Sequence, residues 1–316
     1  MPRILVTTDY LRPGDEVDEY LQAAGLETRH APMIGRRAPE ELVSMLAGID
    51  AALIANEPLT ADVLARAPQL RVVVRTGVGY DSVDVEAAGR LGISVSNLPG
   101  INANAVAEYT LGLLLASARR LVDSATRVRA GGWPRADGHE LRGATLGLVG
   151  HGAAARAVVP LARAFGMDVL CTTSVSEYQR DDGDGAVRFV PFADLLAASD
   201  YVSIHTALTD RTKGLFDAAA FTRMKSTAVL INTARGAIVD EQALADAVRA
   251  GGIRGAELDV VTQEPLLSDS PLRDVDGISV YSHLAGQTAQ ARRAAGLAGA
   301  AELVAALQGQ AQFAVK

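Results

Sequence analysis

Short apolar runs alternate along the chain with stretches whose apolar positions recur at helical spacing. Residues 4–7, 51–55, 71–75 and 93–96 read as strands, with helices near 15–24 and over 60–67, the latter capped by Thr60. A second series starts at residue 145. Its strands are predicted at 145–149, 168–171, 187–190, 201–204, 228–231, 255–258 and 278–281. Its helices are predicted over 153–165, 192–197, 217–222, 240–250 and 288–307. Strands that are apolar throughout, rather than alternating, predict parallel sheets covered by helices on both faces. The chain is therefore α/β with two doubly wound parallel sheets, and the two series meet near Pro99. The Ala-rich helix at the end fits either series.

One helix departs from the amphipathic pattern. Across 104–121, Val106, Tyr109, Leu111, Leu113, Leu114 and Leu115 point in nearly all directions. Such a helix must be buried all round, between two domains or in a dimer interface. The length of 316 residues suits about two domains. With 49% hydrophobic and 21% charged residues, a packed core is expected and disorder is not. A net charge of −7 without any Lys/Arg run excludes a nucleic-acid footprint. The most apolar stretch, 105–118, contains Glu108 and is too short to span a bilayer, so no membrane partner is expected. The first residues read as a strand rather than a signal peptide. The single cysteine, Cys171, cannot form an internal disulfide; it suits a reducing cytoplasm and reads as a small core residue. No cluster of His, Cys and carboxylates has metal-ligand spacing, so no metal is expected.

Residues 145–156 run from strand through a glycine turn into a helix. Gly150-His151-Gly152 followed by Ala153, Ala154 and Ala155 is a G-x-G-x-x-A version of the dinucleotide fingerprint. Gly150 permits the turn, Gly152 leaves room for a pyrophosphate, and the helix N-terminus offers N–H groups to the anion. An acidic residue about 20 positions on would hold the ribose hydroxyls. The second strand ends instead in Thr172, Thr173 and Ser174, with Asp168 at its other end. Nothing there repels a 2′-phosphate, and Arg180 could reach one. NAD is the expected cofactor, with NADP left open.

Behind this turn stand Arg235, Glu264 and His283. Alone, each has an ordinary reading: a solvated arginine, a surface-turn glutamate, a core histidine. Together they are what hydride transfer to a keto acid requires. A guanidinium matches a carboxylate with two hydrogen bonds, which a Lys cannot do. An imidazole, titrating at about 6.5 when free, can give or take the proton near neutrality. A carboxylate beside it favours the imidazolium.

The blocks around these residues resemble the D-isomer-specific 2-hydroxyacid dehydrogenases, in the branch similar to phosphoglycerate dehydrogenase but without a regulatory domain. The blocks are Glu-Pro-Leu-Thr at 57–60, Arg-Thr-Gly-Val-Gly-Tyr-Asp-Ser-Val-Asp at 75–84, Asn-Leu-Pro-Gly at 97–100 and Val-Ala-Glu at 106–108. Ser-Asp-Tyr-Val-Ser-Ile-His at 199–205, Leu-Ile-Asn-Thr-Ala-Arg-Gly at 230–236, Leu-Asp-Val-Val-Thr-Gln-Glu-Pro at 258–265 and Ser-His-Leu-Ala-Gly at 282–286 follow in order. The resemblance implies two Rossmann-like domains with a cleft between them. Residues 1–97 plus 288–316 would bind substrate, and 98–287 would bind the dinucleotide. It also implies a homodimer through the helix near 104–121.

By the same resemblance, Arg235 binds the substrate carboxylate and keto oxygen, His283 is the acid of keto reduction, and Glu264 pairs with it. The backbone of Val78 and Gly79 helps hold the carboxylate. Arg75 joins them as a substrate-binding residue, and Arg36 or Arg37 could hold a second anion. Asp259 contacts the nicotinamide amide and Val106 presses on its ring. His205, Thr206, Thr212, Thr233, Ala234, Ala285 and Gly286 line the cofactor, together with His151, Ala153 and Ala154 of the turn. The sequence departs from the family pattern at Ser282 and Ala207, where Pro is usual, and at Ala155, where the third Gly often stands.

The expected activity is reversible, nicotinamide-dependent interconversion of a small 2-keto acid and its D-2-hydroxy acid. A phosphorylated or otherwise anionic substrate is the class to which the branch points. The other reading is a dinucleotide-sensing, corepressor-like binding protein on the same fold, since fold alone does not fix function. Trp133 is expected to pack, near the cleft or a dimer seam; His30 and His139 are assigned no role.

Overall fold

The computed structural model describes residues 1–32, 38–173 and 185–315. The chain divides into two units, Met1–Asn102 with Thr288–Lys316, and Ala103–Gln287. The first holds β1 (Arg3–Val6), β2 (Glu27–His30), β3 (Ala51–Ile54), β4 (Val72–Arg75) and β5 (Ser94–Ser96), all parallel, in the order β2-β1-β3-β4-β5. Successive strand residues point to opposite faces. Ile4, Val6, Leu53, Val72 and Val74 share one buried cluster, while Leu5, Ala52, Ile54, Val73 and Val95 share another. Both faces are covered, which is why these strands read as unbroken apolar runs. Helices α1 (Glu16–Ala23), α2 (Pro39–Leu46), α3 (Ala61–Ala65) and α4 (Val85–Arg90) connect them. Thr60 caps α3 through the Val63 N–H, as its position predicts.

The second unit opens with α5 (Ala103–Arg119) and α6 (Leu121–Arg129). Its seven parallel strands are β6 (Thr145–Val149), β7 (Asp168–Thr172), β8 (Arg188–Phe189), β9 (Tyr201–Ile204), β10 (Val229–Asn232), β11 (Gly255–Leu258) and β12 (Ile278–Val280). They lie in the order β12-β11-β10-β9-β6-β7-β8. The helices are α7 (Ala153–Ala164), α8 (Phe192–Ala198), α9 (Ala218–Arg223) and α10 (Glu241–Arg249). Strand order reverses at β6, whose neighbours are β7 and β9. Ligands of such sheets bind beyond the carboxyl ends of the strands at that reversal. Gly147, in β6, is a packing glycine: a Cβ there would lie 2.6 Å from Leu195 of α8.

The chain then returns to the first unit as α11 (Ala289–Leu307), which lies on β3 and β4. Ala300 and Leu303 join the cluster of Leu53 and Val74, and a Cβ on Gly299 would lie 2.9 Å from Leu53. The buried Glu302 accepts hydrogen bonds from Ser96 Oγ and from the Gln312 and Phe313 N–H groups.

Several elements depart from the sequence reading. β2, α2, α4 and α6 are additional. β2 has no apolar residue; its Thr28 hydroxyl donates to the buried Asp18 of α1, and His30 Nε2 lies 2.9 Å from the same carboxylate. The helix predicted across 104–121 stops at Arg119, because Arg120 adopts a left-handed conformation with φ 53° and α6 restarts after it. Within one chain α5 is not buried all round. Val106, Leu113 and Leu114 are buried, whereas Leu111 and Leu115 keep partial exposure. Within one chain Trp133 is 82% exposed, beyond a helix α6 that buries no residue. Arg36, Arg37, Ser174 and Arg180 lie outside the described residues.

Candidate active site

The segments after β10, β11 and β12 bring Arg235, Glu264 and His283 into one neighbourhood of the second unit. Arg235 follows a loop cinched by Asn232, whose side chain accepts from the Ala234 N–H (3.0 Å) and donates to the Arg235 carbonyl (2.9 Å). Asn232 is fully buried. This Asx turn was not singled out from the sequence, although Asn two residues before a loop backbone N–H is its usual signal. Next comes Gly236, where the backbone runs against Val261 and Thr262 with no room for a Cβ. That approach sets the arginine loop against the segment leading to Glu264.

His283 Nδ1 lies 2.9 Å from Glu264 Oε2. The other carboxylate oxygen accepts from the Val261 N–H at 3.4 Å. Burial works against ionising Glu264, but the hydrogen bond and charge of His283, the Val261 N–H and the Arg235 guanidinium outweigh it, so its pKa falls below the usual glutamate value. With Nδ1 facing the carboxylate, Nε2 is the ring nitrogen that can meet a substrate. His283 has a φ of 58°, unusual for a residue with a Cβ.

Asp259 lies under this loop and is buried. Its two carboxylate oxygens accept from the Leu284 and Ala285 N–H groups, both at 2.8 Å. Tyr109 of α5 packs edge-on against Tyr281, with ring centroids 6.2 Å apart, and Tyr281 donates its O–H to the buried Glu257 at 2.8 Å.

The glycine turn fits a dinucleotide. Gly150 has φ 102°, and a Cβ there would be 2.8 Å from the His205 backbone. At Gly152 nothing lies within 4 Å of the Cβ position. Gly152 also caps α7 without a side chain, and the first helical bond is Arg156 N–H to the Gly152 carbonyl. The N–H groups of Ala153, Ala154 and Ala155 thus precede the hydrogen-bonded helix and face an open position, the arrangement an anionic phosphate requires. The ring of His151 packs edge-on against Phe189 of β8, 5.0 Å between centroids. Thr172 closes β7 and Thr173 follows it as the last described residue before 185. Thr233 has a buried hydroxyl without a hydrogen-bond partner. Burial lowers the pKa of His205 to about 4, and its Nε2 lies 2.9 Å from the Ser203 hydroxyl. The Thr212 hydroxyl is held inside its own loop, donating to the Ala207 carbonyl at 2.7 Å. Val106 is buried on α5 and Ala285 is buried after the histidine.

Arg75, Val78 and Gly79 belong to the other unit, at and after the end of β4. The Arg75 guanidinium hydrogen-bonds Asn56 and lies over Gly77, and Asn97 donates to the Val78 carbonyl. Among the described residues no group of His, Cys, Asp and Glu is placed to hold a metal ion, and no helix is long and apolar enough to cross a membrane.

Residues 111–285 match the family model described as the NAD binding domain of D-isomer specific 2-hydroxyacid dehydrogenases. A glyoxylate reductase of Korarchaeum cryptofilum is 35% identical over 301 residues, covering 92% of this chain and 88% of that protein. A D-3-phosphoglycerate dehydrogenase of Mycobacterium leprae is 39% identical over 273 residues, covering 85% of this chain but only 51% of that longer protein. Among solved structures, the TT0316 protein of Thermus thermophilus superposes with a TM-score of 0.89 at 34% identity, over 99% of this chain and 100% of that one.

Proposed function

The chain belongs to the D-isomer specific 2-hydroxyacid dehydrogenases, oxidoreductases that act on a hydroxy acid with a nicotinamide cofactor, and from that premise we propose how its residues divide the work. The observation that carries the proposal is the 2.9 Å contact between His283 Nδ1 and Glu264, with the Arg235 guanidinium acting on the same carboxylate. Arg235 grips the substrate carboxylate and orients the keto oxygen. His283 presents Nε2 to that oxygen and delivers the proton in reduction or removes it in oxidation. Glu264 holds the ring through Nδ1, so that a proton lost from Nε2 leaves a neutral imidazole in a fixed tautomer. Arg75 and the backbone of Val78 and Gly79 supply further substrate contacts. The cofactor, when bound, supplies or accepts the hydride. Gly150, His151, Gly152, Ala153 and Ala154 hold its pyrophosphate, Thr172 and Thr173 meet its ribose, and Val106, His205, Thr233, Ala234 and Ala285 line it.

The substrate is a small 2-keto or D-2-hydroxy acid, in a soluble enzyme of the cytoplasm. NAD serves as cofactor, and NADP is admitted because the second strand of this unit runs out in Thr172, Thr173 and Ser174 rather than in an acidic residue. A homodimer through α5 is supported by Leu111 and Leu115, which keep partial exposure, and by the unburied α6 with the exposed Leu121, Val122 and Val128. The enzyme names of the relatives do not favour a dinucleotide sensor. Absorbance of NADH and of NADPH, followed with purified protein and a panel of 2-keto acids, tests the reading. Oxidation by the native protein and its loss in His283→Ala are expected. Equal turnover in the variant would overturn the role of His283.

A further inference from the structure

β5 lies at the edge of the first sheet, and the segment after α11 runs antiparallel along its free side. Ala314 bridges Ser96, the Val315 N–H donates to the Val95 carbonyl at 2.8 Å, and the Asn97 N–H donates to the Phe313 carbonyl at 3.4 Å. This covering segment buries little of itself: Gln312, Phe313 and Ala314 are all exposed. What fixes it is polar. Glu302 of α11, 3% exposed, accepts at Oε1 from the Ser96 hydroxyl (2.8 Å) and from the Phe313 N–H (3.0 Å). The Gln312 N–H lies 3.0 Å from Oε1 and 3.1 Å from Oε2. One buried carboxylate thus ties the last residue of β5 to two successive amides of the segment that covers it, and a carboxylate makes such bonds stronger than a carbonyl does.

Immediately after β5 the same stretch grips the loop that follows β4. The Leu98 N–H donates to the Gly77 carbonyl at 2.9 Å, and Asn97 Nδ2 donates to the Val78 carbonyl at 2.6 Å. A peptide unit is planar and trans, so its carbonyl and its N–H point in opposite directions. Holding the Gly77 oxygen therefore aims the Val78 N–H, and holding the Val78 oxygen aims the Gly79 N–H. In the proposed division of work the backbone at these two positions meets the substrate. Glycines on both sides of Val78 leave the loop free to rotate, and the Val78 side chain is itself 40% exposed, so packing does not set these planes.

We propose that Glu302 is a positioning residue for substrate binding. It holds the covering segment on β5, the segment fixes residues 95–98, and Asn97 with Leu98 then sets the direction of the Val78 and Gly79 amides. The proposal rests on the reading of those amides as substrate contacts. Its effect falls on binding of the keto acid, since proton transfer and the cofactor belong to residues of the other unit.

Three substitutions in the tie itself separate the possibilities. Glu302→Leu removes the acceptor. Glu302→Gln keeps an oxygen at Oε1, where the Ser96, Gln312 and Phe313 contacts converge. Val315→Pro leaves Glu302 alone and deletes the N–H that pairs with Val95. Glu302→Leu and Val315→Pro should each raise the KM of the keto acid about tenfold, with kcat and NADH affinity within about threefold of native, the pattern of lost ground-state binding. Glu302→Gln should return KM to within about threefold of native. Hydrogen exchange, read without cofactor or substrate, should show the Leu98 amide exchanging faster in the first two variants and not in the third, while the amides of β1 keep native protection. In Asn97→Ala protein, adding Val315→Pro should raise KM no further, because the link to the loop is already cut.

A lower melting temperature or kcat with native KM and native exchange at Leu98 would overturn the proposal and leave the segment a cover for the sheet edge. Full additivity of Asn97→Ala and Val315→Pro would overturn it too. Should Glu302→Leu fail to fold, Val315→Pro decides by the same readouts. If the native protein reduces no keto acid at all, the functional reading fails by itself, and exchange at Leu98 still decides whether the covering segment sets the loop.

Discussion

Gly236 and Val261 run so close that a methyl group on the first would lie 1.9 Å from the carbonyl carbon of the second. Because Thr262 is nearly as close, backbone must move if anything larger than hydrogen is placed there. The arginine loop and the glutamate segment are therefore set by one contact. Gly236→Ala is expected to cost about 1–3 kcal/mol of stability, as overpacking does, and to impair Arg235 and Glu264 together. Urea unfolding and steady-state kinetics on one preparation check this; native KM and kcat would refute the link.

The two glycines of the nucleotide turn should behave differently. Gly150→Ala combines a φ of 102° with a clash against the His205 backbone, so it should unfold or disorder the turn. Gly152→Ala meets open space at an ordinary φ of −74°. Its melting temperature should stay within a few degrees of native, while the added methyl occupies the place of the pyrophosphate. NADH affinity should fall at least about tenfold, worth about 1.4 kcal/mol. Native affinity in that variant would remove the turn from the cofactor site.

Replacing Glu264 by Gln tests the imidazole's support. Since Glu264 titrates below its ordinary 4.5, the carboxylate is favoured by the fold. Its contribution is full above pH 4.5 and is lost as the pH falls through the lower folded value. The pair is exposed enough that its share of stability is small, so the effect should appear mainly in kcat, with a drop approaching the roughly 10²-fold associated with loss of a general acid. Melting temperatures of native and Glu264→Gln protein should differ by a constant amount above about pH 4.5 and converge below it.

His205 should leave a mark on acid stability. Its folded pKa of about 4 lies below the usual 6.5, so the unfolded chain binds the proton first. Stability tied to the neutral ring is complete above pH 6.5 and declines as the pH falls toward 4. His205 as a whole residue is only half-buried, so the decline is put at about 2 kcal/mol. Urea unfolding of native and His205→Gln protein between about pH 7 and pH 4 measures it. Parallel pH profiles for the two would sink the idea.

Much of this was legible because both sheets bury both faces: a strand such as Val72-Val73-Val74 announces itself without alternation. β2 was not legible because its attachment is polar, through Thr28 and His30 to Asp18, and no hydrophobic period records that. The break at Arg120 left no glycine or proline to mark it. Among the site residues, short motifs carried Arg235, Glu264 and His283. The bracing by Asp259 was hidden, since its partners are backbone amides 25 and 26 residues away, which every residue but proline possesses. Trp133 is the reverse case: a large apolar side chain is usually buried, and within one chain this one is not.

The return of α11 to the first unit bears on how the protein is made. Translation releases β1 to β5 early, but the helix that covers Leu53 and Val74 is encoded after the whole of residues 103–287. At about 5–20 residues per second, the open apolar face of the first sheet waits on the order of ten seconds or longer for its cover. The second unit is continuous in sequence and can complete itself on the ribosome during that interval, whereas the first closes only once residues 289–307 have emerged. A nascent chain stalled before residue 288 would thus carry a finished nucleotide unit tethered to an unclosed sheet, the form most exposed to chaperones, proteases and aggregation.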